Sequence, residues 1–339
     1  MSIYLGNQKV KPFIIGDDGI KYIWDENIDF SKPIDVAGYK KFSVNGGLID
    51  DGHARIWVDM NDESNLAITV RFNDSSNQQV IDWGDDNIET FSAASQTRSH
   101  TYAQTGKYII DISSNNNSNK NALGQLIVNQ SSNTTIRNKV IYVEDNAMSS
   151  VTYGSQMRFE YLTSLKIVKF GSNFYFNNNI IPGYTCDGCT ALENFDFHGA
   201  TSIGDYAFRN CSSLALTSLP SGLTSLGNNV FRNCTSLAIT SIPETVTTIG
   251  QQAFYDCTGL TQITIPAGIT TINNAAFSGC SNLTSVTILA TTPPTLTNSN
   301  AFPKFNTGFK IYVPAASLDI YKSATNWSDI ASYMEAIPT

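Results

Sequence analysis

Charge is what this sequence has least of. Lys, Arg, Asp and Glu make up 15% of its 339 residues, against about 25% in an average soluble domain. Ser, Thr, Asn and Gly fill the gap, so the surface reads as neutral and rich in hydroxyls and amides. Of the two signs the basic one is scarcer: 21 Lys and Arg stand against 29 Asp and Glu, a formal charge of −8. Such a balance gives a phosphate backbone or an anionic bilayer no footprint, which excludes nucleic-acid binding. Long apolar runs are also missing. Stretches such as Lys11-Pro12-Phe13-Ile14-Ile15 fall far short of the ~20 residues a membrane helix needs, so no membrane insertion is expected. The opening Met1-Ser2-Ile3-Tyr4-Leu5-Gly6-Asn7-Gln8-Lys9-Val10 has neither the cationic start nor the apolar core of a secretion signal. On that ground the chain is expected to be made and kept in a cytoplasm.

Catalytic vocabulary is equally thin. The 3 histidines, His53, His100 and His198, share no recognisable motif with a nucleophile. No G-x-S-x-G, Walker loop, G-x-G-x-x-G or H-E-x-x-H is present. The reading is therefore noncatalytic, with no cofactor. Glycan processing by paired carboxylates is the rival, since such pairs need not be close in sequence.

What the chain does have is internal repetition. Cys211, Cys234, Cys257 and Cys280 lie 23 residues apart, each preceded three residues earlier by Phe208, Phe231, Phe254 or Phe277 and followed three later by Leu214, Leu237, Leu260 or Leu283. Cys189 and Leu192 occupy the same slots in a weaker copy, and Leu162 and Leu165 begin an earlier one. A period in the low twenties centred on Leu-x-x-Ile-x-Ile predicts one solenoid coil per copy: a short strand, a Pro turn and a compact return. In Leu260-Thr261-Gln262-Ile263-Thr264-Ile265, alternation points Leu260, Ile263 and Ile265 inward and Gln262 and Thr264 toward a concave solvent face. Two copies break that register. In 214–219 and 237–242 the fourth position is Thr217 or Thr240, preceded by Leu216 or Ile239, which leaves a bulge or a one-residue slip open.

The spelling AFxxCxxLxxxxIP at this spacing resembles the BspA-like leucine-rich repeat over residues 140–308, and residues 309–339 look like the closing cap of such arrays, with short amphipathic helices expected at 315–321 and 327–337. The resemblance implies a surface-exposed interaction or adhesion role. Upstream, alternating stretches such as Leu66–Phe72 and Lys107–Ile112 predict an antiparallel β-sandwich over 53–115. Within it, Ile81-Asp82-Trp83-Gly84-Asp85-Asp86 and Ser99-His100-Thr101-Tyr102 through Gly106-Lys107-Tyr108 resemble the signatures of a PKD-type, Ig-like domain, with Asp86 where the pattern has Gly. Residues 116–139 read as a polar linker and 1–52 as an N-terminal β segment. The opening IYLGNQKVKPFIIGDDGIKYIW is similar to the mounting segments of bacteriophage tail and appendage proteins.

The expected fold is thus mainly β: a PKD-like or Ig-like sandwich, then a leucine-rich-repeat solenoid with a C-terminal cap. The expected role is a phage virion appendage that binds other virion proteins through its N-terminal region and a bacterial surface glycan or protein through its repeats. A bacterial cell-surface adhesin is the alternative. A homo-oligomer suits an appendage, although no heptad or collagen-like segment encodes one. The binding candidates are the outward polar residues Asn194, Asp196, Ser218, Ser241, Gln262, Thr264, Ser285 and Thr287, with Tyr175, Tyr184, Tyr206 and Tyr255 as stacking platforms. Two clusters invite metal or redox readings. Cys186-Asp187-Gly188-Cys189 spells C-x-x-C, but Cys189 sits in the repeated Cys slot and Cys186 in the Phe slot, which favours buried free thiols. Asp82, Asp85 and Asp86 suit either calcium or a solvated turn, and the turn is preferred, with no metal expected.

Overall fold

The computed structural model describes residues 3–5, 8–10, 15–16, 19–20, 54–60, 67–72, 79–91, 96–114, 126–128, 140–145, 159–170, 176–303 and 308–338. The chain forms two units, 1–153 with 164–175, and 154–163 with 176–339.

The first unit is built from strands that alternate as the sequence does. One sheet runs in the order Ile167–Phe170, Val140–Asp145, Ala54–Met60, Gly106–Ser114, Gln79–Asp82, Ile88–Phe91. Its pairings are antiparallel except for the parallel one between Val140–Asp145 and Ile167–Phe170. A second, antiparallel sheet carries Leu126–Val128, Ala67–Phe72 and Gln96–Thr101. Two boundaries read from sequence move as a result. The expected linker 116–139 contributes the strand Leu126–Val128, because three consecutive aliphatic residues pair with Val70–Phe72. Residue 140, the expected start of the repeats, opens a strand that pairs with Ala54–Met60. Two further antiparallel pairs, Ile3–Leu5 with Gln8–Val10 and Ile15–Gly16 with Gly19–Ile20, lie near the N-terminus.

The second unit stacks its coils in parallel register. Two-residue strands at Ile180–Ile181, Ser202–Ile203, Ser225–Leu226, Thr248–Ile249, Thr271–Ile272 and Thr295–Leu296 form one sheet. In each strand from Ile181 to Leu296 the second residue is buried. A second parallel sheet joins Gln262–Ile265, Ser285–Ile288, Lys310–Val313 and Met334–Ala336. Ile263, Ile265, Val286, Ile288, Ile311 and Val313 point into the core, as strict alternation requires.

Between the sheets, each Phe stacks on its counterpart in the next coil. The centroid distances for Phe208, Phe231, Phe254, Phe277 and Phe302 are 5.6, 5.7, 5.1 and 5.8 Å, with planes within 17° of parallel. Cys186 in the preceding Phe slot ends the parallel column, and Phe195 meets Phe208 edge-on at 4.8 Å instead. Each slot cysteine is buried and donates its thiol proton across the coil gap. Cys189, Cys211, Cys234, Cys257 and Cys280 bond the carbonyls of Phe159, Cys186, Phe208, Phe231 and Phe254 at 2.9–3.1 Å. The sequence suggested a small apolar filler; the structure shows a donor that ties successive turns together. The residue before each slot cysteine has a positive φ: Gly188, Asn210, Asn233, Asp256 and Gly279, at 56–77°. These are the residue types that bear the left-handed region at least cost. Coils approach closely along another line, where a Cβ on Gly250 would stand 2.4 Å from the Gly227 carbonyl oxygen.

The cap continues this geometry. Trp327 extends the ring column from Phe302 at 5.8 Å and donates its indole N–H to the Pro294 carbonyl at 2.8 Å. The Tyr321 hydroxyl reaches the Ala290 carbonyl and the Asn326 amide the Leu296 carbonyl. Helical structure spans Ala315–Ser317, Leu318–Ser323 and Ser328–Tyr333, but the second expected helix stops short of residue 337. Met334–Ala336 is a strand because it completes the edge of the longer sheet.

Truncating one stacked ring should hurt more than changing its shape. Phe254→Ala is expected to cost about 3–5 kcal/mol in urea unfolding, Phe254→Leu distinctly less, and Gly250→Ala about 1–3 kcal/mol from overpacking. Equal unfolding midpoints for Phe254→Ala and the parent would refute the column's role.

Candidate functional site

The longer sheet of the second unit displays two outward rows. Strand register places Gln262, Ser285 and Lys310 side by side. It likewise aligns Thr264, Thr287, Tyr312 and Glu335. Ser241 joins the second row through a parallel bridge to Thr264. Five of the eight sequence candidates are thereby brought together, and all five are exposed or half-buried. Ser218 is exposed in an irregular segment. Asp196 serves a local turn: its carboxylate accepts the His198 backbone N–H at 3.0 Å and stands 3.5 Å from the imidazole Nδ1. Asn194 is exposed in the same coil.

The register question in the two irregular copies resolves as a local bulge. Ile239 is buried, Thr240 and Ser241 are both exposed, and Ile242 is buried again. In the neighbouring coil Gln262 is exposed and Ile263 buried, so only the middle of the stretch slips and Ile242 and Ile265 keep the same face. Copy 214–219 is similar, with Leu216 half-buried, Thr217 and Ser218 exposed and Leu219 buried.

Sequence reasoning missed Lys310, Tyr312 and Glu335, where Lys310 and Glu335 form an ion pair on the same face. The signal lies in the period-two alternation of Lys310-Ile311-Tyr312-Val313, within the stretch that reads as the cap.

The tyrosines expected as stacking platforms are differently employed. Tyr184 and Tyr206 stack on each other at 4.9 Å and 13°. The other contacts are guanidinium groups: Arg209 lies 4.8 Å over Tyr206 and Arg232 4.8 Å over Tyr255. Part of the surface of each of these rings is thus covered within the chain, although Tyr184 stays 38% exposed; Tyr175 lies outside the described residues. Arg209 also forks onto Asp187, Nε to Oδ1 at 2.8 Å and Nη2 to Oδ2 at 2.5 Å, which holds the guanidinium above its usual range. The Asp187 side chain is 1% exposed, so this pair is anchored from inside the array.

All six cysteines are buried free thiols. Burial pushes Cys186, Cys211, Cys234 and Cys257 well above the ordinary thiol range, and Cys280 up to about 12. A neutral thiol is a poor nucleophile and a poor metal ligand, and here it is also committed to a carbonyl. Among the described residues no group of three His, Cys, Asp or Glu side chains is placed to hold a metal ion.

In the first unit the Asp-rich turn satisfies its own backbone. Asp82 Oδ1 accepts the Gly84 N–H at 2.8 Å, and Asp85 Oδ1 accepts the backbone N–H and the side-chain Nδ2 amide of Asn87, each at 3.3 Å. Asp85 Oδ2 is 2.8 Å from His100 Nε2. His100 stacks on Trp83 at 5.0 Å and meets Tyr102 edge-on at 4.6 Å. The buried Tyr102 hydroxyl closes the cluster by donating to the Trp83 carbonyl at 2.9 Å. Desolvation of that phenol pushes its ionisation far up. Asp86, standing where the resembled pattern has Gly, takes a φ of 72°. His53 lies outside the described residues.

Comparison with known proteins bears on the repeats. Residues 179–306 match the BspA type leucine rich repeat region in 6 copies, so this stretch is an array of BspA-type leucine-rich repeats. No curated protein matches the chain. Among solved structures, the chain is similar to a leucine-rich repeat protein of T. pallidum, with 30% identity and a TM-score of 0.34 over 44% of this chain and 67% of that one. A leucine-rich repeat protein of Bacteroides ovatus shows 21% identity and a TM-score of 0.40, covering 56% of this chain and 50% of its own. A leucine rich cell surface protein of Faecalibacterium prausnitzii shows 21% identity and a TM-score of 0.34, covering 51% and 60%. The chain therefore spans about two thirds, half and three fifths of these three proteins.

Two measurements check the site chemistry. A thiol reagent at pH 8 should label none of the six cysteines in the native chain and all of them in denaturant; labelling in the native state would overturn the buried-thiol assignment. Asp86→Ile should destabilise the first unit by about 1–2 kcal/mol through its left-handed backbone, while Asp86→Gly should not lower the unfolding midpoint by more than about half that amount.

Proposed function

We propose that this chain is a noncatalytic recognition protein of a bacterial cell surface, in which the repeat array holds a ligand-binding face rigid and the first unit acts as a PKD-like sandwich spacer. The observation that carries the reading is the pair of polar rows on the longer sheet, set at one coil per step by backbone register. Ser241, Thr264 and Thr287, with Gln262 and Ser285 beside them, offer hydroxyls and an amide at fixed intervals. Such groups suit hydrogen bonding to glycan hydroxyls or to peptide groups. Asn194, Asp196 and Ser218 would extend the face toward earlier coils. The BspA-type repeats support the surface setting, because the resemblance implies adhesion and interaction.

The resemblance behind the virion-appendage reading lies in residues 3–24, of which only short strand pairs are described. We therefore prefer the cell-surface reading to the virion one. In either setting the array presents its face in the same way.

Binding of the purified chain to immobilised glycans and matrix proteins tests the proposal. A Thr264→Arg, Thr287→Arg double variant should keep its thermal midpoint and lose at least about 1.4 kcal/mol of binding, a tenfold change in Kd. Undiminished binding by this variant would remove the face from consideration.

A further inference from the structure

The two outward rows of the longer sheet differ from the rest of the array in what their side chains do. Elsewhere in the coils the backbone takes up hydroxyls: Ser212, Thr224, Thr235, Thr270 and Thr284 each donate to a carbonyl of the preceding coil at 2.9–3.2 Å. In the rows, Gln262, Thr264, Ser285 and Thr287 make no side-chain hydrogen bond among the described residues. Tyr312 continues the second row beside Thr287 and is half-buried. Unlike the rings of Tyr184, Tyr206 and Tyr255, its ring meets no other ring or guanidinium among the described residues, and its hydroxyl has no hydrogen-bond partner there. Lys310 on the same strand and Glu335 on the next form an ion pair, so the only two charges in the rows cancel. The face thus offers hydroxyls, an amide and one uncommitted aromatic ring, with no net charge.

Spacing narrows the ligand. Neighbouring strands of a sheet lie about 4.8 Å apart, and the Phe column beneath repeats at 5.1–5.8 Å. An extended polypeptide returns a side chain to the same face only every ~6.8 Å. A peptide laid along a row therefore falls out of step with the coils. A pyranose in an extended β-linked chain is close to one coil step in length, so sugars and coils stay in phase.

We infer that the row of Ser241, Thr264, Thr287 and Tyr312 holds a neutral β-1,4-linked glycan, one sugar per coil, with a pyranose stacked on Tyr312; this rests on the recognition reading of the face and names its ligand. The C–H bonds on the face of an equatorially substituted pyranose are weakly positive and meet the negative face of an aromatic ring. Ser and Thr hydroxyls donate and accept, as sugar hydroxyls do, and the Gln262 amide offers both functions in one group. With Lys310 and Glu335 paired, the rows hold no surplus charge to favour an ionic ligand.

Isothermal calorimetry of the full chain with β-1,4-linked cello-, chito- and manno-oligosaccharides of two, four and six sugars tests the inference. At least one series should bind, with affinity rising from the disaccharide to the tetrasaccharide, which fills the four rungs of the row, and levelling off at the hexasaccharide. This length dependence is read on the unaltered chain and needs no variant to fold. Tyr312→Ala should weaken the tetrasaccharide at least about tenfold and Tyr312→Phe less than about threefold, with circular dichroism and thermal midpoints matching the parent. Silence from all three series, equal affinity for the disaccharide and the tetrasaccharide, or full binding by Tyr312→Ala would each overturn the glycan assignment. Should the oligosaccharides fail while a matrix protein binds the parent and is lost by the Thr264→Arg, Thr287→Arg double variant, the recognition face stands and its glycan ligand falls. Should neither kind of ligand respond to that variant, both fall together.

Discussion

The second unit depends on one constraint: every coil must sit on the last at the same phase. The phenylalanine column and the thiol-to-carbonyl bonds enforce it together, the rings by dispersion and burial, the cysteines by direction. Stacked rings can slide in their plane, and a weak S–H donor cannot exclude water. In combination they fix both spacing and rotation, and the surface inherits that order. The aligned rows of Ser, Thr and Gln are then a by-product of the interior, since outward residues cannot fall out of step with the inward neighbours beside them.

The same constraint explains which residues the coils tolerate. Close approach removes the space for a Cβ at Gly227 and Gly250. Tight turning forces two left-handed residues per coil, and Asn, Asp and Gly fill the one before cysteine almost throughout. The slot five before the cysteine is less restrictive, holding Tyr184, Tyr206, Asn229, Gln252 and Ala275. A solenoid makes such differences easy to see because each position has its own controls in the neighbouring turns.

Much of this architecture was legible in the sequence, for a physical reason. A repeat forces equivalent residues into equivalent environments, so the spacing of Phe208, Cys211 and Leu214 already names three core positions. Inward and outward assignment succeeded in copies with strict alternation, such as 260–265, and stayed open at 237–242, where two polar residues adjoin and only packing can choose between faces. The role of cysteine escaped because a thiol's hydrogen bond leaves no trace in spacing. The strands Leu126–Val128 and Met334–Ala336 were missed because each is three residues long and owes its existence to a pairing partner far away in the chain. The tyrosine faces were misjudged for a related reason: whether a ring is open or covered is decided by the arginine one turn on or in the neighbouring coil.

The cap adds a last point. Among the described residues its side-chain anchoring bonds reach the carbonyls of Ala290, Thr291, Pro294 and Leu296, and its first strand pairs with residues 285–287, all within the final coil. Interior coils lie beyond the reach of these bonds, so a whole coil could be added or removed upstream without rebuilding the cap. Reach, not chemistry, would change, in increments of one coil, while the closing piece stays untouched.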